Sequence, residues 1–274
     1  MSFYDTILGN LSSYIAVTDA EEEVCDLYSV YYSSSSTQPR SDLVDPSKPE
    51  LEIEIPGSGR RSITLTITQN PHINNELGQT GGVLWNSSIV LSTYFARHHS
   101  NNPGWEANLK EANIVELGSG CGLVGLTLHR LGARRVVLTD QWRMMKVLGK
   151  NVDRAKTGRN GGVLVAAEYD WSTAGEKGLL RGSVVAAEPV DMVVVCDCVY
   201  HEEVVPLVVR ALAEVCACQG TGRRAVGIVA QELRSDLVHQ AFVEALLQRF
   251  TVYRMPVDPA TDAFYVLYVV WLKD

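Results

Sequence analysis

One stretch near the middle of the chain constrains the fold more than any other. A short apolar pattern from Ile114 to Leu117 runs into Gly118, Gly120 and Gly122, and an apolar helical pattern follows. Glycine suits such a turn because it adopts positive φ and lets a ligand approach the backbone. The turn ends at a predicted helix N-terminus, whose free N–H groups favour a polar or anionic ligand. The stretch therefore predicts a buried strand, a tight ligand-binding turn and a helix.

The spacing of these glycines separates two kinds of nucleotide-binding turn. The dinucleotide fingerprint G-x-G-x-x-G would need its third glycine at position 123, which is Leu123. From Glu116 onward the sequence instead reads E-L-G-S-G-C-G. A plain corner between a strand and a helix, with no ligand, is the alternative at this point.

Apolar strands alternate with helical patterns after the turn. Strand patterns recur at residues 136–140, 163–167, 190–196, 225–230, 251–255 and 264–272. Uninterrupted apolar strands are typical of the centre of a parallel sheet, and we expect the last two strands to pair antiparallel. The alternation predicts an α/β fold with helices on both faces of one sheet.

An acid ends the second of these strands. Asp140 follows Glu116 by close to the spacing of about 20 residues at which an acid reaches a ribose hydroxyl in nucleotide-binding folds. A carboxylate accepts hydrogen bonds from two neighbouring hydroxyls. The alternative is that Asp140 caps the helix that follows.

The first 80 residues have a different pattern, so we predict an extension at 1–80 and a main domain at 81–274. Residues 51–69 hold two strictly alternating runs around a Pro-Gly turn, which predicts a β-hairpin. Its single apolar face should cover an edge of the main domain.

Two further elements are predicted within the extension. The acidic and aromatic pattern from Ala20 to Tyr32 predicts a short helix, capped by Asp19 or Thr18. Residues 33–49, which are rich in Ser, Pro and Asp, predict a flexible loop.

Composition excludes several classes of function. The net charge of −8 argues against non-specific nucleic-acid binding through a basic face. No apolar run reaches the roughly 20 residues that span a bilayer, and the N-terminus has no signal-peptide pattern. Four of the six cysteines lie in apolar surroundings, which indicates reduced core thiols of an intracellular protein. The two C-x-C pairs differ from common zinc spacing, so we expect no metal site.

Three local motifs together resemble the class I S-adenosylmethionine-dependent methyltransferases of the family-16 protein-lysine type. Glu116 to Gly125 resembles their motif I, and Gly82 to Trp85 resembles the tryptophan segment before it. Asp197 to Tyr200 resembles their D-x-x-Y motif after the fourth strand. The resemblance covers roughly residues 80–272. The valosin-containing-protein and elongation-factor lysine methyltransferases are the nearest groups.

This resemblance implies a Rossmann-like seven-stranded sheet, mostly parallel with the last strand antiparallel, helices on both faces and an N-terminal β-hairpin extension. It implies a protein-lysine N-methyltransferase that uses S-adenosyl-L-methionine. The expected partner is a translation elongation factor or an AAA-type chaperone. We expect a monomer in the cytoplasm, with a nuclear fraction, and no binding to nucleic acid or membranes.

The resemblance also implies a cofactor pocket lined by Trp85, Glu116, Gly118, Ser119, Gly120, Asp140, Trp171, Cys196 and His201. Cys196 stands where the family often has a small residue such as alanine, and His201 where some relatives have an aromatic. Alternatives stay open for three positions. Trp85 could be a wedge at the domain edge, Trp171 a core residue beneath a loop, and His201 a rim residue or a catalytic base.

Asp197 and Tyr200 are the predicted catalytic residues. Lysine has a pKa near 10.4 in water, so it arrives protonated and attacks only after losing a proton. Asp197 could orient the arriving ammonium, and Tyr200 could hydrogen-bond the amine. The alternative for Asp197 is a helix cap.

Other functions share parts of this pattern. The motifs Asn-Pro-Pro-Tyr and Asp-Pro-Pro-Tyr, which point to methylation of nucleobases or glutamine, do not follow the fourth strand. A small-molecule methyltransferase, a non-catalytic cofactor-binding module and, least favoured, an NAD-linked oxidoreductase remain alternatives because a fold does not fix a substrate.

Overall fold

The computed structural model describes residues 3–35, 43–58, 62–72, 80–101, 103–156, 161–173, 183–218, 223–257 and 263–274. Within them the strands are β1 (Ile15–Val17), β2 (Glu50–Pro56), β3 (Ser62–Thr68), β4 (Asn113–Leu117), β5 (Arg135–Asp140), β6 (Val163–Glu168), β7 (Met192–Cys196), β8 (Val226–Glu232), β9 (Phe250–Met255) and β10 (Tyr265–Leu272). The α-helices are α1 (Phe3–Leu8), α2 (Ala20–Ser35), α3 (Asn86–Asn101), α4 (Pro103–Leu109), α5 (Leu123–Arg130), α6 (Met145–Lys156), α7 (Val205–Cys216) and α8 (Asp236–Arg249).

One sheet organises the described part of the chain, with the strand order β1-β9-β10-β8-β7-β4-β5-β6. Strands β4 to β8 pair in parallel, and β10 is antiparallel to both β8 and β9. The seven predicted strands are confirmed. An eighth, β1, pairs with β9 at the edge of the sheet and was not predicted. It is three residues long, too short to show an alternating pattern.

Helices cover both faces of the sheet, as predicted. Helices α3, α5 and α6 share one hydrophobic cluster with Ile114, whereas α2, α7 and α8 share another with Val115 and Leu117. Neighbouring residues of a strand point to opposite faces. Because both faces are covered, β4 is buried along its whole length, including its polar residues Asn113 and Glu116.

The predicted hairpin is present, since β2 and β3 pair antiparallel over their full length. Its apolar residues Ile55 and Ile67 are fully buried in the cluster that holds α3, α5 and α6. The Asn151 side chain on α6 accepts the N–H of Thr68 at 2.8 Å and donates to its carbonyl at 2.9 Å. The hairpin therefore packs on the helical layer of the main domain.

Helix α2 begins where the sequence predicted and ends later. The Asp19 carboxylate accepts the N–H of Glu22 at 2.9 Å, which confirms the predicted cap. The helix continues through residues 33–35, which were expected to begin a flexible loop, and residues 36–42 of that loop lie outside the described residues.

A buried polar contact anchors α2 to the sheet. The Tyr268 hydroxyl donates to Glu23 at 2.9 Å, and Arg254 lies 3.1 Å from the same carboxylate. Both α2 and the hairpin thus share the hydrophobic clusters of the main domain. The fold then brings the carboxyl ends of β4, β5, β6, β7 and β8 to one edge, where α/β folds bind ligands.

Candidate active site

The glycine turn, defined as Gly118–Gly122, joins β4 to α5. Its three glycines all have positive φ, at 62°, 54° and 87°. A Cβ atom on Gly118 would lie 2.6 Å from the Trp171 ring and 2.8 Å from the sulfur of Cys198. Position 118 therefore requires glycine both for its backbone angle and for the space that Trp171 occupies.

Asp140 completes the turn from the end of β5. Its Oδ2 accepts the N–H of Gly120 and its Oδ1 accepts the N–H of Gln141, both at 2.8 Å. Gln141, not Asp140, is the N-cap of the short 3-10 turn that follows, so the capping alternative is not what the structure shows. A carboxylate has about four acceptor positions. Two remain on Asp140, which lines the adjoining cavity.

Burial changes the protonation of Asp140. Desolvation raises its pKa to about 6, and the nearby charge of Asp170 adds to the rise, while its two backbone hydrogen bonds oppose it. Near pH 7 the carboxylate is mostly ionised and able to accept hydrogen bonds from hydroxyl groups.

Glu116 lies beneath the turn and is almost fully buried. Its Oε2 accepts the N–H of Gly125, in the first turns of α5, at 3.0 Å. Burial raises its pKa to about 8, so the carboxyl group is mostly protonated at neutral pH. Glu116 lines the adjoining cavity, and its hydrogen bonds hold the backbone around the turn in place.

Trp171 lies on a 3-10 turn after β6 and packs against Gly118. Its indole Nε1 is buried without a hydrogen-bond partner among the described residues. A buried donor without a partner is costly, and such groups are usually satisfied by a ligand or water. The residue is partly buried against the core, yet it also lines the cavity, which fits a ligand contact.

These elements enclose a cavity of about 260 Å³ at the edge of the sheet. It is lined by ten of the predicted site residues: Trp85, Glu116, Gly118, Ser119, Gly120, Asp140, Trp171, Cys196, Asp197 and Tyr200. Cys196 is half-buried, and desolvation raises the pKa of its thiol well above the usual value, so it is not an ionised nucleophile.

His201 is the predicted site residue that does not line this cavity. It is exposed, and its ring meets the edge of Tyr200 with centroids 5.2 Å apart. The chain turns at this point toward α7, which directs residue 201 to the surface. The prediction of a cofactor contact for His201 is not supported by this placement.

Asp197 faces the cavity from the loop after β7, in the left-handed region at φ 56°. Its Oδ1 accepts from Arg234 at 2.6 Å and from Gln231 at 3.0 Å. Its Oδ2 accepts from Arg234 at 2.7 Å and from Ser87 at 2.9 Å. Arg234 also pairs with Glu232. We call Ser87, Asp197, Gln231, Glu232 and Arg234 the carboxylate cluster.

The carboxylate cluster corrects the role expected for Asp197. Four short hydrogen bonds and a longer one from the Glu232 N–H at 3.4 Å fill the acceptor positions of the Asp197 carboxylate, whose side chain is only 2% exposed. It has no position left to hold an arriving ammonium. It does not cap α7 either, because Val204 is the N-cap of that helix and no side chain bonds its N-terminus.

Tyr200 is half-buried in the cavity wall, and no described residue hydrogen-bonds its hydroxyl. Trp85 lies across the cavity mouth, with 40% of its surface exposed and its Nε1 donating to the carbonyl of Thr80 at 3.0 Å. The guanidinium of Arg234 lies 5.2 Å from the Trp85 ring centroid. Trp85 is therefore part of the cavity wall, as one of its two interpretations predicted.

Sequence reasoning missed Ser87, Gln231 and Arg234. Each acts through a contact with Asp197, which is 110, 34 and 37 residues away in the chain. No local pattern marks these positions, since a serine in a first helical turn and an arginine after a strand are common.

Among the described residues, no group of three or more His, Cys, Asp or Glu could hold a metal ion. None of the described helices is both long and apolar enough to cross a membrane.

The chain is similar in sequence to known lysine methyltransferases. The model of a family described as lysine methyltransferase matches residues 62–248. The chain is 26% identical to protein N-lysine methyltransferase METTL21A of Mus musculus, over 66% of this chain and 73% of that protein. It is 30% identical to EEF1A lysine methyltransferase 3 of Xenopus tropicalis, over 57% and 60% of the two chains.

Solved structures give weaker similarity. The tRNA (uracil-54, C5)-methyltransferase of Pyrococcus abyssi, solved with S-adenosyl-L-homocysteine, has a TM-score of 0.44 and 13% identity. The match covers 82% of this chain and 45% of that one.

Proposed function

This chain belongs to the lysine methyltransferase family, and we propose that its cavity at the carboxyl edge of the sheet is the S-adenosylmethionine site. The chain is a protein-lysine N-methyltransferase, as its relatives are. The single observation that supports the cofactor site best is the joining of the glycine turn to Asp140 by the hydrogen bond from Gly120.

The residues present fit this cofactor. Asp140 keeps two acceptor positions for the ribose hydroxyls, and Trp171 offers a buried indole N–H without a partner among the described residues. The indole face also suits stacking on a purine. When bound, S-adenosylmethionine supplies an electrophilic methyl group on a sulfonium sulfur. The glycine turn, Asp140 and Trp171 would hold it in place.

Tyr200 and Trp85 form the part of the wall that a substrate lysine would meet. Lysine must enter as a neutral amine to attack, and desolvation among aromatic side chains disfavours its charged form. We propose that the hydroxyl oxygen of Tyr200 accepts one N–H of the neutral amine, which leaves the nitrogen lone pair for the methyl group. Alignment of two reactants in one cavity is itself a large source of rate acceleration.

The substrate that we propose is a translation elongation factor or an AAA-type chaperone. One relative is named for lysine methylation of EEF1A. The acidic chain, with a net charge of −8, also suits a lysine in a basic surface segment. A substrate of this kind places the enzyme in the cytoplasm, with a nuclear fraction. We further propose that it acts as a monomer, without contact to nucleic acid or membranes.

Radiolabelled S-adenosylmethionine tests the substrate class. The full chain is incubated with the labelled cofactor and a lysate of cells that lack it, and half of each sample is treated with alkali to hydrolyse RNA. We expect label in a protein band that survives alkali, and proteome-wide mass spectrometry should find one lysine that loses methylation in those cells. Label confined to RNA or small molecules would overturn the proposal.

A further inference from the structure

Arg234 makes contacts that the roles described so far do not require. Its guanidinium forms two parallel hydrogen bonds with Asp197, at 2.6 and 2.7 Å, and also pairs with Glu232. It lies 5.2 Å from the centroid of Trp85. One side chain thus joins the loop after β7, the end of β8 and the segment before α3.

The two carboxylates that Arg234 bridges are both withdrawn from solvent. The side chains of Asp197 and Glu232 are 2% and 4% exposed, whereas that of Arg234 is 32% exposed. A buried carboxylate needs a compensating charge, and the planar guanidinium supplies one with matching geometry. Without it, two adjacent negative groups would lie beside the cavity that receives the amine.

Uncompensated carboxylates would also affect the substrate. An opposite charge within about 4–6 Å favours the protonated form of an amine. The substrate lysine would then be held as an ammonium, which has no lone pair for attack. Arg234 prevents this because its two N–H groups occupy one acceptor position on each oxygen of Asp197 and its guanidinium stays positively charged.

We propose that Arg234 is a positioning residue for methyl transfer, which orients Asp197 and Trp85 and keeps the two carboxylates from capturing the substrate as an ammonium ion. This inference rests on the proposed function. Arg234 acts through its neighbours, so its loss should affect transfer to the protein substrate and leave cofactor binding intact.

The chain offers a matched control at the other end of the sheet. Arg224 has a similar exposure, 34%, pairs with the carboxylate of Asp274 and lies 5.6 Å from the ring centroid of Tyr4. It makes the same two kinds of contact far from the cavity. Arg224→Ala therefore measures the effect of removing a partly exposed arginine whose carboxylate partner, Asp274, is itself exposed.

The test compares full-length wild type, Arg234→Ala, Arg234→Lys and Arg224→Ala. Two quantities are measured: the Kd for S-adenosylmethionine by calorimetry and the initial rate of labelling of lysine in the lysate of cells that lack the chain. For Arg234→Ala we expect a Kd within about threefold of wild type and a labelling rate lower by about 30-fold. Arg234→Lys should recover little of the rate, because an ammonium cannot form the two parallel bonds.

Chemical rescue separates positioning from a purely structural role. Guanidinium ions at about 10–50 mM, well below the concentrations at which they unfold most small domains, should raise the rate of Arg234→Ala at least about fivefold. They should not raise the rates of wild type or Arg224→Ala. The partial exposure of Arg234 gives the ion access to the vacated position.

The outcomes distinguish this inference from the function it rests on. A wild type that binds the cofactor and labels no lysine would overturn the proposed function, and this inference with it. If wild type labels lysine, any one of three results overturns the inference alone. These results are that Arg234→Ala keeps the wild-type labelling rate, that Arg234→Ala loses cofactor binding in proportion to its loss of rate, and that guanidinium ions fail to raise the rate of Arg234→Ala.

Discussion

The two halves of the cavity are built in different ways. The glycine turn is held by Glu116 and Asp140, which lie within about 25 residues of it in the chain, on β4 and β5. The carboxylate cluster instead gathers residues from α3, the loop after β7 and the end of β8, and its Ser87 contacts Asp197 from 110 residues away in the chain. The first half is a local structure that a motif can specify, and the second exists only once the sheet has formed.

This difference has a functional consequence. The half made by the local motif holds groups suited to a ribose and a purine, and the half made by long-range contacts holds the wall that meets the substrate. Changes to the first half should therefore alter cofactor affinity, and changes to the second should alter turnover.

Gly118→Val should abolish cofactor binding. The new side chain would collide with Trp171, whose ring lies 2.6 Å from the position of a Cβ, at a φ of +62° that valine avoids. We expect the Kd for S-adenosylmethionine to rise at least about 100-fold, measured by calorimetry. Gly149→Ala is the control, since no atom lies within 4 Å of that Cβ position on α6. Unchanged affinity in Gly118→Val would show that the glycine turn is not the cofactor site.

Asp140→Asn should weaken cofactor binding by about 10- to 30-fold, because the amide offers fewer acceptor positions and turns a donor toward a backbone N–H. Since the pKa of Asp140 is raised to about 6, wild-type affinity should be constant above pH 7 and fall as the pH drops through 6. Asp140→Asn should lack this fall. An equal fall in both proteins would assign the titration to another group.

Ser87→Ala tests the other half of the cavity. It removes the hydroxyl that donates to Asp197 at 2.9 Å and leaves a buried carboxylate with one donor fewer. We expect turnover to fall about three- to tenfold with the Kd for S-adenosylmethionine unchanged. Ser92→Ala, one turn further along α3, is the control, because its buried hydroxyl has no partner among the described residues. A change in cofactor affinity alone would break the division between the two halves.

Glu116→Gln should change stability in a pH-dependent way. The pKa of Glu116 is raised from 4.5 to about 8, so between these values the unfolded chain releases a proton that the folded chain keeps. The free energy of unfolding of wild type therefore falls as the pH rises from about 4.5 to about 8. Glutamine does not titrate, so the Glu116→Gln variant lacks this pH-dependent loss of stability. The melting temperature of Glu116→Gln relative to wild type should rise from pH 5 to pH 8 and level above it. If the difference in melting temperature between Glu116→Gln and wild type does not change with pH over this range, Glu116 is ionised in the folded protein.

The same contrast explains what the sequence could predict. The strands from 113 to 272, the hairpin and the placement of Gly118, Asp140 and Trp171 follow from local periodicity and short motifs. β1 was missed because three residues carry no period. The helices that the hairpin contacts were not predicted, because an apolar face shows that a partner exists, not which partner it is.

The environment of Asp197 lay beyond sequence reasoning for a related reason. Its type and motif suggested a free carboxylate, but its charge is compensated by Arg234, an arginine brought close by the parallel pairing of β7 with β8. His201 was assigned to the pocket by its place in a motif, and the turn toward α7 directs it outward. Backbone direction at the end of a strand decides such cases, and residue type does not.

A crystal structure of the full chain grown with S-adenosyl-L-homocysteine tests the central claim most directly. We expect density for the ligand along the backbone of residues 118–120, with both ribose hydroxyls on the carboxylate of Asp140 and the purine beside Trp171. Ligand density at any other place, or an empty cavity at saturating ligand concentration, would rule out this cavity as the cofactor site.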